Sequence, residues 1–229
     1  FQELIGEGLA IVPGARLQVR SNDVDYRFRQ RSDLLYLCGW PQPDALAVFH
    51  KGRFLLFVQP RDAKAETWTG RRPGLEGARE LYGADDAYAI DEFEARLPEL
   101  LGDVPRLHYA LGAEPHLDSV VLGALRQVRG RARRGVSAPN EISDPRDILH
   151  EMRLYKHPDE IAVMREAADI SCEAHREAAR LCRAGNTEYE IEATLEWVFR
   201  KRGGSCASSP RIVCSGENQT IFHYTENIE

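Results

Sequence analysis

Residues 215–227 read SGENQTIFHYTEN. The polar run GENQ (216–219) separates two apolar, β-prone runs, RIVCSG at 211–216 and TIFHY at 220–224. This pattern predicts two strands joined by a turn. One histidine, His223, lies on the second of them between Phe222 and Tyr224. What the rest of the chain makes of these two strands decides the fold.

Immediately upstream the sequence is helical. Pro158 opens a long helix with Asp159 and Glu160 in its first turn, and Ile161, Met164, Ala168 and Cys172 continue one stripe until Gly185. Thr187 and Glu190 have capping-box spacing and open a second helix. Its apolar face carries Ile191, Leu195, Val198 and Phe199, and Gly203–Gly204 stop it. The order helix, helix, strand, strand gives two apolar helix faces and too little sheet to cover both. A domain of this size is marginal and two lone strands leave open edges. The expectation is a half-domain whose sheet is unfinished.

The region before it alternates strand and helix signals. ALAVFH (45–50) and RFLLFVQP (53–60) flank Lys51–Gly52, a hairpin turn. EGARELYGA, DEFEARLPELLG and PHLDSVVLGALRQVRG read as helices, and AYAI and RLHYALG as strands. Such mixing predicts helices packed on a sheet. SAPNEISDPRD (137–147), polar and with two prolines, reads as a linker.

The chain has 229 residues, enough for one large domain or two small ones, and its 43% apolar and 29% charged composition is that of a globular protein. No apolar run reaches the ~18 residues of a membrane span, and FQELIGEGLA does not read as a signal peptide. The formal net charge of −6 argues against nucleic acid as a partner. RGRARRG (129–135) reads as a solvated helix end. The five cysteines are scattered, with no C-x-x-C, and read as reduced, partly buried thiols of a cytoplasmic protein.

No self-contained active site is legible. G-x-S-x-G, H-E-x-x-H, the P-loop and G-x-G-x-x-G are all absent. His50, His108 and His116 stand alone, without metal-ligand spacing.

SGENQTIFHYTEN resembles the corresponding segment of aminopeptidase P, the Xaa-Pro aminopeptidase family with the pita-bread fold. Three further stretches resemble the same family in the right order. They are RSNDVDYRFRQRSDLLYLCGW (20–40), DAKAETWTGRRPG (62–74) and HEMRLYKHPDEIAVMREAADIS (150–171). The resemblance implies an N-terminal mixed-sheet α/β domain over 1–148. Residues 149–229 would then be the first part of a pita-bread α+β catalytic domain, comprising the two helices and two strands.

The resemblance also implies a chemistry. The family releases the N-terminal residue from peptides with proline second, using two manganese ions whose bridging hydroxide attacks the carbonyl. Its ligands, two Asp, one His and two Glu, all follow the HYTEN segment. This chain is therefore expected to be a truncated form, with no metal ligand of its own, no bound manganese and no activity alone. By resemblance, His223 lies near the metals as a hydrogen-bond donor to substrate or oxyanion. Trp68 matches a tryptophan that lines a neighbouring subunit's substrate entrance, which suits stacking on a proline ring. Arg133 aligns with an arginine of the same polar network, with Arg131 and Arg134 close by in register. A homo-oligomer acting on proline-containing peptides, without nucleic acid or membrane, is implied. A metal-independent creatinase-like hydrolase and a non-enzymatic oligomerisation or binding fragment are the alternatives.

Overall fold

In the computed structural model, which describes residues 1–205, 207 and 209–229, the chain divides into two units, Phe1–Leu154 and Tyr155–Glu229. In chain order the first contains α1 (Gln2–Ile5), β1 (Leu9–Pro13), β2 (Val19–Ser21), β3 (Val24–Asp25), α2 (Ser32–Cys38), β4 (Leu46–His50) and β5 (Arg53–Val58). It continues with α3 (Ala63–Thr69), α4 (Gly74–Glu80), β6 (Asp86–Ala89), α5 (Phe93–Leu100), β7 (Arg106–His108), α6 (Pro115–Arg129), β8 (Glu141–Ser143) and α7 (Arg146–Leu154).

The first unit is a mixed sheet in the order β6-β5-β4-β1-β7-β8, with β2 and β3 paired separately. Only β4 runs against its neighbours: it is antiparallel to β1 and, as the first strand of the Lys51–Gly52 hairpin, to β5. Both turn residues have positive φ, 50° and 72°, the backbone that matches the twist of paired strands. β1 is central and buried on both faces, as a strand within a largely parallel sheet must be. Leu9 and Ile11 join Val48, Phe57, Leu97, Val121 and Leu125 in one core. Ala10 and Val12 point the other way, to Leu34, Trp40, Phe49, Leu56 and Ala78. The alternation is the period of two expected of a strand. At its entrance Gly8 is required by close approach: a Cβ there would lie 2.8 Å from the His108 ring and 2.9 Å from the Ile5 carbonyl.

One expectation for the end of this unit is corrected. The proposed linker contains β8, which pairs in parallel with β7 through Leu107–Ile142 and His108–Ser143. His108 Nδ1 and Ser143 Oγ are 2.9 Å apart. The two prolines flank this three-residue edge strand and leave its ladder groups free to bond. The division between the two compact units falls after Leu154, and α7 lies in the first of them. Leu149 is buried, and Arg153 Nη1 is 2.9 Å from Asp33 Oδ1 on α2.

The second unit contains α8 (Pro158–Leu181) and α9 (Glu188–Lys201), matching the two expected helices. Ala174, Ala178 and Val198 are their buried residues of small or modest size. The two expected strands do not form. Residues 211–215 and 221–229 are irregular, and Gly216–Thr220 is a short 3₁₀ helix. A strand exists only where another strand answers its amides; here the Val213 and Ser215 N–H groups donate to the Asn227 and Glu188 side chains, and those of Ile221 and Tyr224 donate to the Asn218 and Ile221 carbonyls. The thiols also differ from expectation: Cys172 and Cys182 are exposed. Cys206, the fifth cysteine, lies outside the described residues.

Candidate functional site

Three glutamates four residues apart, Glu188, Glu192 and Glu196, lie along one face of α9. Each grips the segment 211–229. Glu188 does most: its Oε1 accepts from the Ser215 N–H at 2.6 Å and the Asn218 amide at 3.1 Å. Its Oε2 accepts from the Tyr224 hydroxyl at 2.8 Å and the Glu229 N–H at 3.2 Å. The Glu188 N–H in turn donates to the Glu229 carbonyl. Glu188 is only 2% exposed. Burial pushes its carboxyl up, but the Asn218 amide, the Ser215 N–H, the Tyr224 hydroxyl and the Glu229 N–H outweigh that and hold it down at about 2.

Glu192 and Glu196 hold the same segment through Arg211 and Asn227. Arg211 Nε is 3.1 Å from Glu192 Oε1, and its guanidinium also pairs with Glu196. The Asn227 amide donates to Glu192 Oε2 at 3.0 Å and to the Arg211 carbonyl at 3.1 Å, while its oxygen accepts from Val213 N–H at 3.1 Å. Asn227 is buried and has φ of 49°, a left-handed conformation that asparagine tolerates. The helix start carries a capping-box pair, with Glu190 accepting from the Thr187 N–H at 2.9 Å.

His223 sits on this tethered segment. Its neighbour Tyr224 is buried and bonded to Glu188, whereas His223 and Phe222 are exposed. The imidazole is thus displayed from a backbone fixed on both sides. Trp68 and Arg133 belong to the first unit. Trp68 is on α3, which Asp62 caps through Lys64 and Ala65 N–H at 2.9 and 3.2 Å. It is 89% exposed, so local packing does not account for it. Arg133 is exposed on the 3₁₀ turn Ala132–Arg134 that follows α6. Among the described residues no hydrogen bond or ion pair joins Trp68 to Arg133.

Sequence reasoning missed Glu188, Glu192, Glu196 and Asn227. The four-residue spacing of the glutamates was a visible signal, though read alone it describes a solvated helix face.

The first unit has a crevice where the sheet changes direction of growth. From β1 the chain builds outward through β4, β5 and β6, then returns to place β7 on β1's other side. The crevice at the carboxyl ends of β1 and β7 measures about 130 Å³, with Pro13, Tyr109, Glu114 and Leu149 in its wall. Its charges are mutually occupied: Arg31 pairs with Glu114, Asp33 with Arg153, and Arg146 with Asp144. The Tyr109 hydroxyl donates to Asp118 at 2.6 Å. A polar ligand would have to break these pairs to enter.

Among the described residues, no group of three or more His, Cys, Asp or Glu side chains is placed to hold a metal ion. The dinuclear manganese centre implied by the resemblance therefore does not fit the side chains described. No helix among them is long and apolar enough to cross a membrane.

Residues 1–108 match the model of the aminopeptidase P N-terminal domain, and residues 162–229 match that of metallopeptidase family M24. Over 223 residues the chain is 39% identical to the Xaa-Pro aminopeptidase of Escherichia coli strain K12, covering 95% of this chain and 51% of that protein. It is 36% identical over 214 residues to the Haemophilus influenzae Xaa-Pro aminopeptidase, covering 91% and 47%. Among solved structures, Pseudomonas aeruginosa aminopeptidase PepP superposes with a TM-score of 0.94 at 41% identity, covering 97% of this chain and 51% of that one. A zinc-substituted Escherichia coli aminopeptidase P in complex with product gives 0.94 at 37% identity, covering 99% and 54%. The chain spans about half the length of the curated relatives it matches.

Proposed function

Because the chain belongs to the aminopeptidase P family, we propose that its residues serve the release of an N-terminal amino acid from peptides carrying proline second. His223 is the catalytic residue in this reading. Its ring N–H donates to the carbonyl oxygen of the bond before proline, where negative charge grows as the bond is attacked. The observation that carries the reading is the display of His223: an exposed imidazole on a segment whose neighbour Tyr224 is buried and bonded. A donor that does not reorganise during the reaction is what stabilising a developing charge requires.

Trp68 and Arg133 are the substrate-side residues. The exposed indole offers a flat face for a proline ring, supplied to the active site of a neighbouring copy in a homo-oligomer. Arg133 adds a positive charge for a peptide carboxylate or carbonyl. The complete enzyme would use two manganese ions, held by residues other than those described. Unpaired thiols at Cys38, Cys172, Cys182 and Cys214 suit a cytoplasmic setting.

The test is His223→Ala in a chain that contains these residues and has Xaa-Pro peptidase activity. Expected are falls in kcat and kcat/KM of roughly 10²–10³ together, with metal content unchanged. Loss of metal would make His223 a ligand, and unaltered kinetics would remove it from the chemistry.

A further inference from the structure

We infer that Glu188 is a positioning residue for His223: its carboxylate fixes the 215–229 segment on which the imidazole is displayed. The inference deepens the reading of His223 as the catalytic donor and rests on it for its functional meaning.

The geometry is one-sided in a telling way. Glu188 is the first residue of α9, yet its two oxygens turn to donors from a single distant segment. Those donors bracket His223 in sequence, with Ser215 and Asn218 before it and Tyr224 and Glu229 after it. Tyr224 is its immediate neighbour, and the Tyr224 oxygen also accepts from Ile228 N–H at 3.2 Å. Residues 221–229 belong to no ladder among the described residues, so no strand partner fixes them. A segment without a ladder takes its register from whatever answers its polar groups. Here that is one carboxylate of high acceptor capacity, with two oxygens and about four lone-pair sites, each occupied.

This arrangement separates Glu188 from a residue that merely fills space. Glutamine has the same volume and shape but replaces one oxygen with an NH₂ group. Whichever way the amide turned, it would point hydrogens at two donors. At the Oε1 position the Asn218 amide could flip to accept, but the Ser215 N–H could not. At the Oε2 position the Tyr224 hydroxyl could rotate to accept, but the Glu229 N–H could not. Glu188→Gln should therefore release part of the segment although it keeps the packing, and Glu188→Ala should release all of it.

The experiment uses the full chain and needs no activity. Hydrogen exchange is followed at the amides of 211–229, α8, α9 and the first unit in the parent, Glu188→Gln and Glu188→Ala proteins, with the His223 ring signals read by NMR. Expected is a roughly ten- to hundred-fold acceleration at 211–229 in both variants, larger for alanine, as for lost bonds to a charged group. The His223 ring signals should become averaged, while Val121, Leu125 and their neighbours in α6 keep their protection. Unchanged exchange in Glu188→Gln would show a space-filling side chain and overturn the inference. Loss of protection throughout α8 and α9 would make Glu188 a general fold element, which also overturns it. The catalytic reading fails separately: His223→Ala without kinetic effect would refute that reading even where Glu188 is shown to hold the segment.

Discussion

The Tyr224 hydroxyl donates to Glu188 Oε2 at 2.8 Å, tying the residue after His223 to the first turn of α9 across 36 positions of sequence. The bond does what a strand pairing would have done in the same place, by side-chain chemistry. Tyr224→Phe removes it and leaves Glu188 with three donors. Amide exchange at Ile228 and Glu229 should rise about ten-fold, as for one hydrogen bond to a charged group. Protection equal to the parent protein would show that the hydroxyl contributes nothing to the tether.

The acid limb of stability should carry a Glu188 component. Its carboxyl is held at about 2, below its ordinary value of 4.5. A depressed carboxyl adds stability that is complete above the unfolded value and is lost as pH falls from about 4.5 toward 2. Exchange at 211–229, corrected for intrinsic rates, should therefore accelerate across that window. In Glu188→Gln the dependence should flatten. An equally steep dependence in that variant would assign the effect to other carboxylates.

Trp68→Ala tests whether the exposed indole has a folding role. The side chain is 89% exposed, so unfolding free energy should change by no more than about 0.5 kcal/mol. In an active enzyme with these residues the same variant should weaken turnover of Xaa-Pro peptides. A large shift in denaturation midpoint would place Trp68 in packing after all.

Leu149→Ala should destabilise the first unit by about 2–5 kcal/mol, because Leu149 is 1% exposed on a helix that the sequence left at a domain junction. Limited proteolysis of the parent chain should first cut after Leu154. A first stable product ending near residue 148 would detach α7 from the unit.

Much of this architecture is legible without tertiary information. The Lys51–Gly52 turn announces β4 and β5, since positive φ at both positions is local chemistry. Pro158 and Glu160 mark the start of α8 and Thr187 marks the start of α9, whereas α8 ends at Leu181, before Gly185. His223, Trp68 and Arg133 are candidates only through the family resemblance. Periodicity, capping and turn residues act over a few positions, so a single sequence displays them.

The tertiary structure decided what depends on distant partners. RIVCSG and TIFHY have strand composition, but among the described residues no strand receives them; Asn227 and Glu188 take the Val213 and Ser215 amides, and the Ile221 and Tyr224 amides turn back on the Asn218 and Ile221 carbonyls. SAPNEISDPRD has linker composition, yet β7 offers it an open parallel edge and three residues become β8. α7 joins the first unit through Asp33, 120 positions away. Glu188, Glu192 and Glu196 look like a solvated helix face until Arg211, Asn227 and Tyr224 are placed against them. Local pattern fixes which backbone shapes a segment can adopt. Which of them it keeps is set by whether its polar groups find partners, and those partners are chosen only when the chain has folded.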